Sequence, residues 1–390
     1  MSFPLSKIVE IIAVLGAISS VGYYIVCLWS ATRFLSQRKA AGEGARPTPA
    51  FTPSGSILKP LRGTDPEMYE SFRSLCLQDY LDYEIIFGVS DENDPAIPLV
   101  ERLKAEFPQR SIRLIICLEN LGANVKVSNL AQMVREARHE YLIVNDSDIR
   151  VGPEYLRRIL ASFADPQTGL VTCLYRGICN DTLGSRLESL GISTDFCASV
   201  LVAQTVEGRI SFGLGSTLAF RRRELAAIGG FESLVDYLAD DYQIGNRIAS
   251  LGQRVQLSSE VVETFLPYYT VREFLDHQLR WARTVRDSRR WGYVGLGLTF
   301  GLPWALLALI AARGAGWAWA LLAVVAAARF AVAIVVGRCV LQDRQVGKLF
   351  GLIPPRDLVA MLVWLVSFAG HKITWRGQEF VLRHGKLVRS

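Results

Sequence analysis

The sequence predicts an α/β protein, a doubly wound parallel sheet with one membrane helix ahead of it and membrane helices behind it. Three observations predict this. Short apolar runs alternate with helix-length segments between residues 56 and 145, the pattern of parallel strands joined by crossover helices. Residues 11–32 carry no charged side chain, enough for a helix to cross a bilayer. Residues 291–312 are equally free of charge, and residues 314–337 are interrupted only by Arg329.

These features divide the chain. Residues 1–36 read as a membrane anchor, 37–54 as a linker rich in Gly, Pro and Ala, and 55–270 as one globular catalytic-sized domain. Residues 271–291 read as an amphipathic helix, and 292–390 as a membrane region with a basic tail. The anchor lacks the basic start and small-residue cleavage site of a signal peptide. Arg33, Arg38, Lys39 and Arg46 follow it, which by the positive-inside rule puts the domain in the cytoplasm, in a bacterium at the inner membrane.

Within the domain, residues 56–61 form a strand, and 65–78 a helix with Asp65 near its N-cap and Pro66 in the first turn. Residues 83–89 are a strand, 95–107 a helix, 112–118 a strand, 123–137 a helix and 141–145 a strand. Beyond Gly152 the pattern becomes mixed, with strands at 169–175 and 210–220. Residues 271–291 place apolar side chains at 271, 274, 275, 279, 282 and 285, a helical period. Six arginines lie mostly on the other faces, the composition of a helix on an anionic membrane surface. Residues 358–370 are uncharged but short for a span. Basic residues flank them on both sides, among them Arg338, Arg344 and Arg376, so three full spans and an inward C-terminus are expected. Arg329 either meets a headgroup or carboxylate within the membrane or snorkels to its edge.

Half the residues are hydrophobic and mean hydropathy is +0.24, high for a wholly soluble protein. The net charge of +6 is modest and its arginines gather beside the membrane, so a bilayer rather than nucleic acid is the expected partner. The seven cysteines include no Cys-x-x-Cys pair and sit mostly in apolar runs, which argues against zinc or a disulfide framework.

Carboxylates carry the candidate chemistry. Asp91 with Asp94, and Asp146 with Asp148, each follow a predicted strand, at the sheet edge where open α/β folds bind ligands. Asp146 and Asp148 stand two apart, so an extended backbone puts both on one side. Such a pair suits Mg²⁺ or Mn²⁺ shared with substrate phosphates, although capping the next helix is the commoner use. Asp94 could equally cap the helix that begins near Pro95, and Asp240-Asp241 could cap the one that follows them. A base must reach its proton. Gly213 and Gly215 either let backbone approach a sugar or form a bulge. Arg280 could pair with a diphosphate and Trp281 offer a face to a sugar or acceptor, or both could anchor the membrane surface.

Taken together, SILKPLRGTDP (56–66), VSDENDPA, the Lys126 and Asn129 segment, VNDSDIRV, GSTLAFRR, LADDYQIG, HQLRWAR and WRG (375–377) resemble the ceramide glucosyltransferase family, glycosyltransferase family 21. Within it the chain looks most like the bacterial hopanoid-associated branch. The resemblance implies a GT-A fold and an inverting transfer of glucose or N-acetylglucosamine from a UDP-sugar donor to a membrane lipid hydroxyl. It implies that Asp91 or Asp94 holds uridine, that Lys126 is also on the donor side, and that Asp146 and Asp148 bind metal and diphosphate. Asp241 would be the base, Arg280 and Trp281 would act on the donor, and Asp240, His277 and Gln278 would serve the acceptor or assist. His277 stands where the family carries Gln or Arg. Thr194 and Asp195 stand where animal ceramide enzymes carry His-Pro, which favours another lipid alcohol such as a hopanoid polyol. A processive polysaccharide synthase and a non-catalytic nucleotide-sugar scaffold are the competing readings.

Overall fold

The computed structural model describes residues 5–44, 51–375 and 378–389; Arg46 and the Arg376-Gly377 pair lie outside them. The chain opens with a long helix, α1 (Leu5–Gly44), and then alternates. β1 (Gly55–Pro60), α2 (Met68–Cys76), β2 (Tyr83–Val89), α3 (Ile97–Glu106), β3 (Ser111–Ile116), α4 (Val125–Glu136) and β4 (Tyr141–Val144) follow in order. The four strands pair in parallel as β3-β2-β1-β4, with β1 in register from Gly55 opposite Tyr83 to Pro60 opposite Gly88. Every residue of β1 and β2 is buried, because helices cover both faces of a parallel sheet. Successive crossovers leave β1 in one direction and then return to its other side at β4. Ligands bind at such a reversal, beyond the carboxyl ends of the strands.

The remainder of the sheet is antiparallel in part. After β5 (Ile149–Arg150), α5 (Tyr155–Ala161), β6 (Thr168–Ile178), α6 (Leu183–Gly191) and α7 (Cys197–Val206) come β7 (Leu218–Arg221), α8 (Arg222–Ala227), α9 (Asp240–Ser250) and β8 (Arg254–Phe265). The full order is β3-β2-β1-β4-β7-β6-β8-β5. The strand expected over 210–220 shrinks to β7, because the glycines ahead of it are drawn against Asp241: a Cβ on Gly213 would lie 2.9 Å from its carbonyl oxygen. β8 was not expected. Its Ser-Ser-Glu interior carries no strand pattern, and pairing along β6 supplies it. Likewise α2 starts at Met68 rather than Asp65, whose carboxylate is taken by the Ser147 hydroxyl.

The membrane helices depart further from expectation. α1 continues through the segment read as linker as far as Gly44. Good helix formers occupy that stretch, and Arg38 donates to the carbonyls of Val340 (2.9 Å) and Cys339 (3.1 Å). After α10 (Val271–Ser288), the segment expected as a straight span over residues 291–312 is two helices bent by 53°. These are α11 (Arg290–Gly295), with a short turn after it, and α12 (Gly301–Ala311). Hydroxyls of α1 satisfy the broken backbone: Ser20 donates to Leu298 O (2.8 Å), and the Tyr24 hydroxyl donates to Thr299 O and accepts from Gly301 N–H. Without such partners a break at membrane depth would be costly.

Next come α13 (Gly316–Val332), extended to Val340 by a wider turn, α14 (Gln345–Lys348) and α15 (Ile353–Ser367). Among the described residues four helices are long and apolar enough to cross a membrane, or up to five if the bent pair counts as one: Leu5–Ala40, Leu183–Val206, Gly316–Val340 and Phe350–Ser367. The last begins ahead of the uncharged segment 358–370, because the two charges just before that segment, Arg356 and Asp357, are neutralised in place. Arg329 binds both Asp357 oxygens (2.7 and 2.9 Å) and the Thr194 hydroxyl, while Arg356 binds Asp195 (2.7 Å). Arg329 therefore meets a carboxylate and does not snorkel. The chain ends in a separate antiparallel sheet, β9 (Lys372–Trp375), β10 (Gln378–Arg383) and β11 (Lys386–Arg389).

The pair Arg329–Asp357 is almost wholly buried. We predict that Arg329→Ala, which strands Asp357, destabilises the purified protein by about 3–5 kcal/mol, whereas the double change Arg329→Met with Asp357→Leu costs far less. Thermal unfolding in detergent would measure both, and equal losses would refute the pairing.

Candidate active site

Three loops at the carboxyl edge of the sheet meet around one glycine. Asp146 leaves β4, Asp241 lies in the first turn of α9, and Gly215 sits in the loop before β7. The Gly215 N–H donates to Asp241 Oδ2 (2.9 Å). A Cβ on Gly215 would lie 2.9 Å from Asp146 Oδ2 and 3.4 Å from Asp241 Oδ2, so a methyl there would press on the Asp146 carboxylate. Lys126, in the first turn of α4, joins Asp146 Oδ1 (2.7 Å) to Asp240 Oδ2 (3.2 Å). Asp146 keeps 40% of its side chain exposed and Asp240 only 8%. The first therefore faces the cleft while the second supports Lys126 from within.

Charge crowding shapes the titration of these groups. Burial first, and the neighbouring Asp240 second, push the Asp241 carboxyl up to about 6, against the pull of Lys126. Burial and then Asp146 push Asp148 up to about 6, opposed by the Thr264 hydroxyl and Lys59. Although burial works against it, Asp146 and Asp240 raise Lys126, keeping it protonated. Lys59 lies fully buried beneath the Asp146–Ile149 turn and donates to the carbonyls of Asp146 (2.8 Å) and Ile149 (3.4 Å). Burial lowers it to about 8.

The Asp91 and Asp94 pair splits. Asp94 is buried, and its oxygens accept from Gly63 N–H (3.1 and 3.0 Å) and Ala96 N–H (2.9 Å), so it ties the loop after β1 to the start of α3. Asp91 is exposed and accepts from Asn93 N–H.

The opposite wall comes from α10. Thr270 and Glu273 cap it reciprocally. The His277 ring lies 3.3 Å from Glu188 Oε1, and Gln278 donates to Glu188 Oε2 (2.8 Å). Glu188 is a buried carboxylate of α6. Aromatic rings continue from Tyr269 through His277 and Trp281 to Phe196 and Tyr175, with centroids 5.4–5.6 Å apart. Burial lowers the Arg280 guanidinium, and it makes no ion pair among the described residues. Two other arginines of α10 turn toward a neighbouring helix: Arg283 and Arg286 donate to carbonyls at the end of α15 and just beyond it. Those carbonyls lack helical partners. Arg289, at its C-cap, pairs with Glu207 (2.7 Å), while Arg272 and Arg290 stay exposed.

Asp146 and Asp148 offer the oxygen donors a hard divalent cation prefers, and burial, followed by Asp146, raises Asp148. No cluster of three or more His, Cys, Asp or Glu exists among the described residues, so phosphate oxygens would have to complete the shell.

Sequence reasoning found Lys126 and all the aspartates of the cleft but missed Lys59, Glu188 and Thr264. For the first two a signal existed, an ionisable residue inside an apolar element. For Thr264 there was none, because β8 itself was not foreseen.

An α/β sheet with carboxylates at its carboxyl edge, joined to several helices long and apolar enough to cross a membrane, defines a membrane-associated GT-A type protein, and its backbone agrees. A mannosyltransferase from Pyrobaculum calidifontis, solved with GDP-Man and Mn²⁺, superposes with a TM-score of 0.56 at 19% identity, covering 93% of this chain and 97% of that one. The profile of glycosyl transferase family 21 matches residues 12–388, and the chain belongs to that family. Ceramide glucosyltransferase 3 of Caenorhabditis elegans is 27% identical over 59% of this chain and 50% of its own length. The ceramide glucosyltransferase of Komagataella phaffii is 32% identical over 35% and 28%. The chain thus matches about half the length of the first of these relatives.

The raised Asp241 carboxyl yields a stability prediction. A folded-state pKa of about 6, above the unfolded value near 4, costs stability above the folded pKa, and the cost fades as pH falls toward the unfolded value. Asp241→Asn, which can still accept from Gly215, should therefore melt higher than wild type at pH 7.5 in nucleotide-free buffer. The gain should shrink between about pH 6 and 4. A difference independent of pH would contradict it.

Proposed function

We propose that this protein is an inverting glycosyltransferase that moves a hexose or N-acetylhexosamine from UDP to the hydroxyl of a membrane lipid on the cytoplasmic side of the bilayer. The observation that carries this reading is the meeting of Asp146 and Asp241 at Gly215, which sets a phosphate-side carboxylate beside a basic one in one cleft.

In this reading the loops after β1 and β2 hold the uridine, with Asp91 the exposed carboxylate free to accept its hydrogen bonds. Asp146 and Asp148 hold Mg²⁺ or Mn²⁺ against the diphosphate; the bound ion would supply Lewis-acid stabilisation of the departing charge. The Mn²⁺ in the mannosyltransferase supports that assignment. Lys126 and Arg280 add fixed positive charge, and Trp281 offers an apolar face to sugar or acceptor. Asp241 accepts the proton of the acceptor hydroxyl as its oxygen attacks the anomeric carbon opposite the diphosphate, giving a β-linked product and UDP. A carboxylate raised to about 6 is ionised at neutral pH yet a stronger base than a free one.

The acceptor is a lipid because the cleft wall α10 leads directly into the membrane helices. Family membership supports a glycolipid product. Thr194 is occupied by Arg329 and Asp195 by Arg356. Neither is free to meet an acceptor as the His-Pro pair of the animal enzymes would, and a hopanoid polyol is favoured over ceramide.

The test is direct. The full-length protein in lipid nanodiscs should convert UDP-glucose or UDP-N-acetylglucosamine, with Mg²⁺ or Mn²⁺, into a monoglycosylated lipid when given hopanoid polyol or ceramide. Asp241→Asn should lose about 1000-fold in turnover. A polymeric product would favour a polysaccharide synthase, and UDP binding without any product a scaffold. Separately, Gly215→Ala, whose methyl would press on Asp146, should lower turnover by about 100-fold while the protein stays folded; unchanged turnover would remove the meeting point from the mechanism.

A further inference from the structure

The C-terminal sheet lies against the chain that leads into the base. The segment Val235 to Leu238 runs beside β11 like a fourth strand: Leu387 N–H donates to Asp236 O (2.7 Å) and Leu238 N–H to Gly385 O (3.3 Å). Tyr237 stands opposite Lys386, whose ammonium lies 5.3 Å from the tyrosine ring centroid. On its other side the same segment binds the start of α4. Ala123 N–H donates to the Asp236 carboxylate (3.1 Å), Asn124 N–H to Val235 O (2.6 Å), and the Asn124 amide to Tyr237 O (2.7 Å). Asn124 is the N-cap of α4. Two residues beyond it comes Lys126, and two residues beyond Leu238 comes Asp240.

The sheet is also bound to the helix that carries Arg280 and Trp281. Asp287 of α10 accepts from Gly385 N–H in the β10–β11 turn. Arg283 donates to Lys372 O at the start of β9, and Arg286 contacts Gly370 O (2.8 Å) and the His371 ring (3.1 Å). Ile373, Phe380, Leu382 and Leu387 form a small buried core whose remaining contacts are Ala123, Leu238 and Trp375. A sheet this small needs a face to pack against, and this core closes on α10 and on Ala123 and Leu238 of the loops that bear the site.

We propose that the C-terminal sheet is a positioning clamp. It ties the Val235–Leu238 segment, and with it Asp240 and Asp241, to the α10 wall, so that the base is held at a fixed place relative to Arg280 and Trp281. Leu387, Asp287 and Phe380 are its positioning residues; none of them touches the cleft carboxylates. The proposal rests on the glycosyltransferase reading for its effect on turnover, but its structural core does not.

The test therefore uses two readouts on the full-length protein in nanodiscs. In hydrogen exchange, Phe380→Ala and Leu387→Pro should each lose protection at Asp236 to Asp241 while β1, β2 and β4 stay protected. Unchanged protection there overturns the clamp whether or not wild type makes glycolipid. In turnover with UDP-glucose or UDP-N-acetylglucosamine and the lipid accepted by wild type, each variant should lose about 100-fold in kcat. Affinity for UDP with Mg²⁺ should stay within about twofold of wild type. A crosslink supplies rescue: Tyr237 and Lys386 form a pair without direct backbone bonds, the narrow type whose spacing suits a disulfide. Tyr237→Cys with Lys386→Cys, added to Phe380→Ala, should restore kcat when oxidised and lose it again in dithiothreitol. Wild-type kcat in both single variants, or no recovery on oxidation, overturns the positioning role.

Discussion

The Asp146 and Asp241 carboxylates converge on Gly215, and the rest of the site depends on that spacing. Like charges gathered in one place repel, and each needs a reason to remain. The Gly215 N–H supplies one for Asp241, and Lys126 supplies one for Asp146. A methyl at 215 would press on Asp146. Asp146 and Asp148 offer oxygens through which a cation could bridge to a diphosphate. Burial first and Asp240 second, with a smaller contribution from Asp146, raise Asp241 and make it a better proton acceptor. The folded protein is thereby less stable than its packing alone would make it, a common cost of active sites.

Two sets of contacts keep this arrangement in place. Beneath it, Lys59 fastens the turn that bears Asp146 and Asp148, and Thr264 of the long strand β8 fixes the second carboxylate. Beside it, α10 is anchored at three points: by its Thr270–Glu273 cap, by Glu188 through His277 and Gln278, and by the carbonyls at the end of α15. Two of the six arginines that look like a membrane-facing stripe in sequence, Arg283 and Arg286, serve instead as caps for α15. A helix end at the bilayer surface must satisfy its last carbonyls, and a guanidinium with several donors does so efficiently.

The same logic operates inside the membrane region. Arg329, Asp357, Arg356 and Asp195 would each be costly alone in hydrocarbon. Paired, they join α13 and α15 to the helix that runs from Leu183 to Val206 beneath the cleft. The ionic contacts thus couple the membrane bundle to the element that holds Glu188, and through it to the Arg-Trp pair.

The parallel half of the sheet was legible residue by residue, because apolar runs and crossover helices are local patterns whose periods survive in any context. Asp91, Asp94, Asp146 and Asp148 were legible as candidates because each follows a buried strand, at the edge where such folds bind ligands, although Asp94 proved to tie two loops together. The path of β8, the break at Phe300–Gly301, the length of α15 and the docking of the last three strands were not. Each depends on a partner far along the chain, as with Tyr24 for the break, Arg329 for Asp357, β6 for β8 and Asp236 for β11. By itself the sequence determined the class of fold, the family and which acidic residues to watch. Tertiary structure alone decided that Asp146 and Asp241 share one glycine, that Asp94 ties two loops together, and that Arg283 and Arg286 cap α15. Those outcomes are set by charges and carbonyls that meet only when distant segments pack.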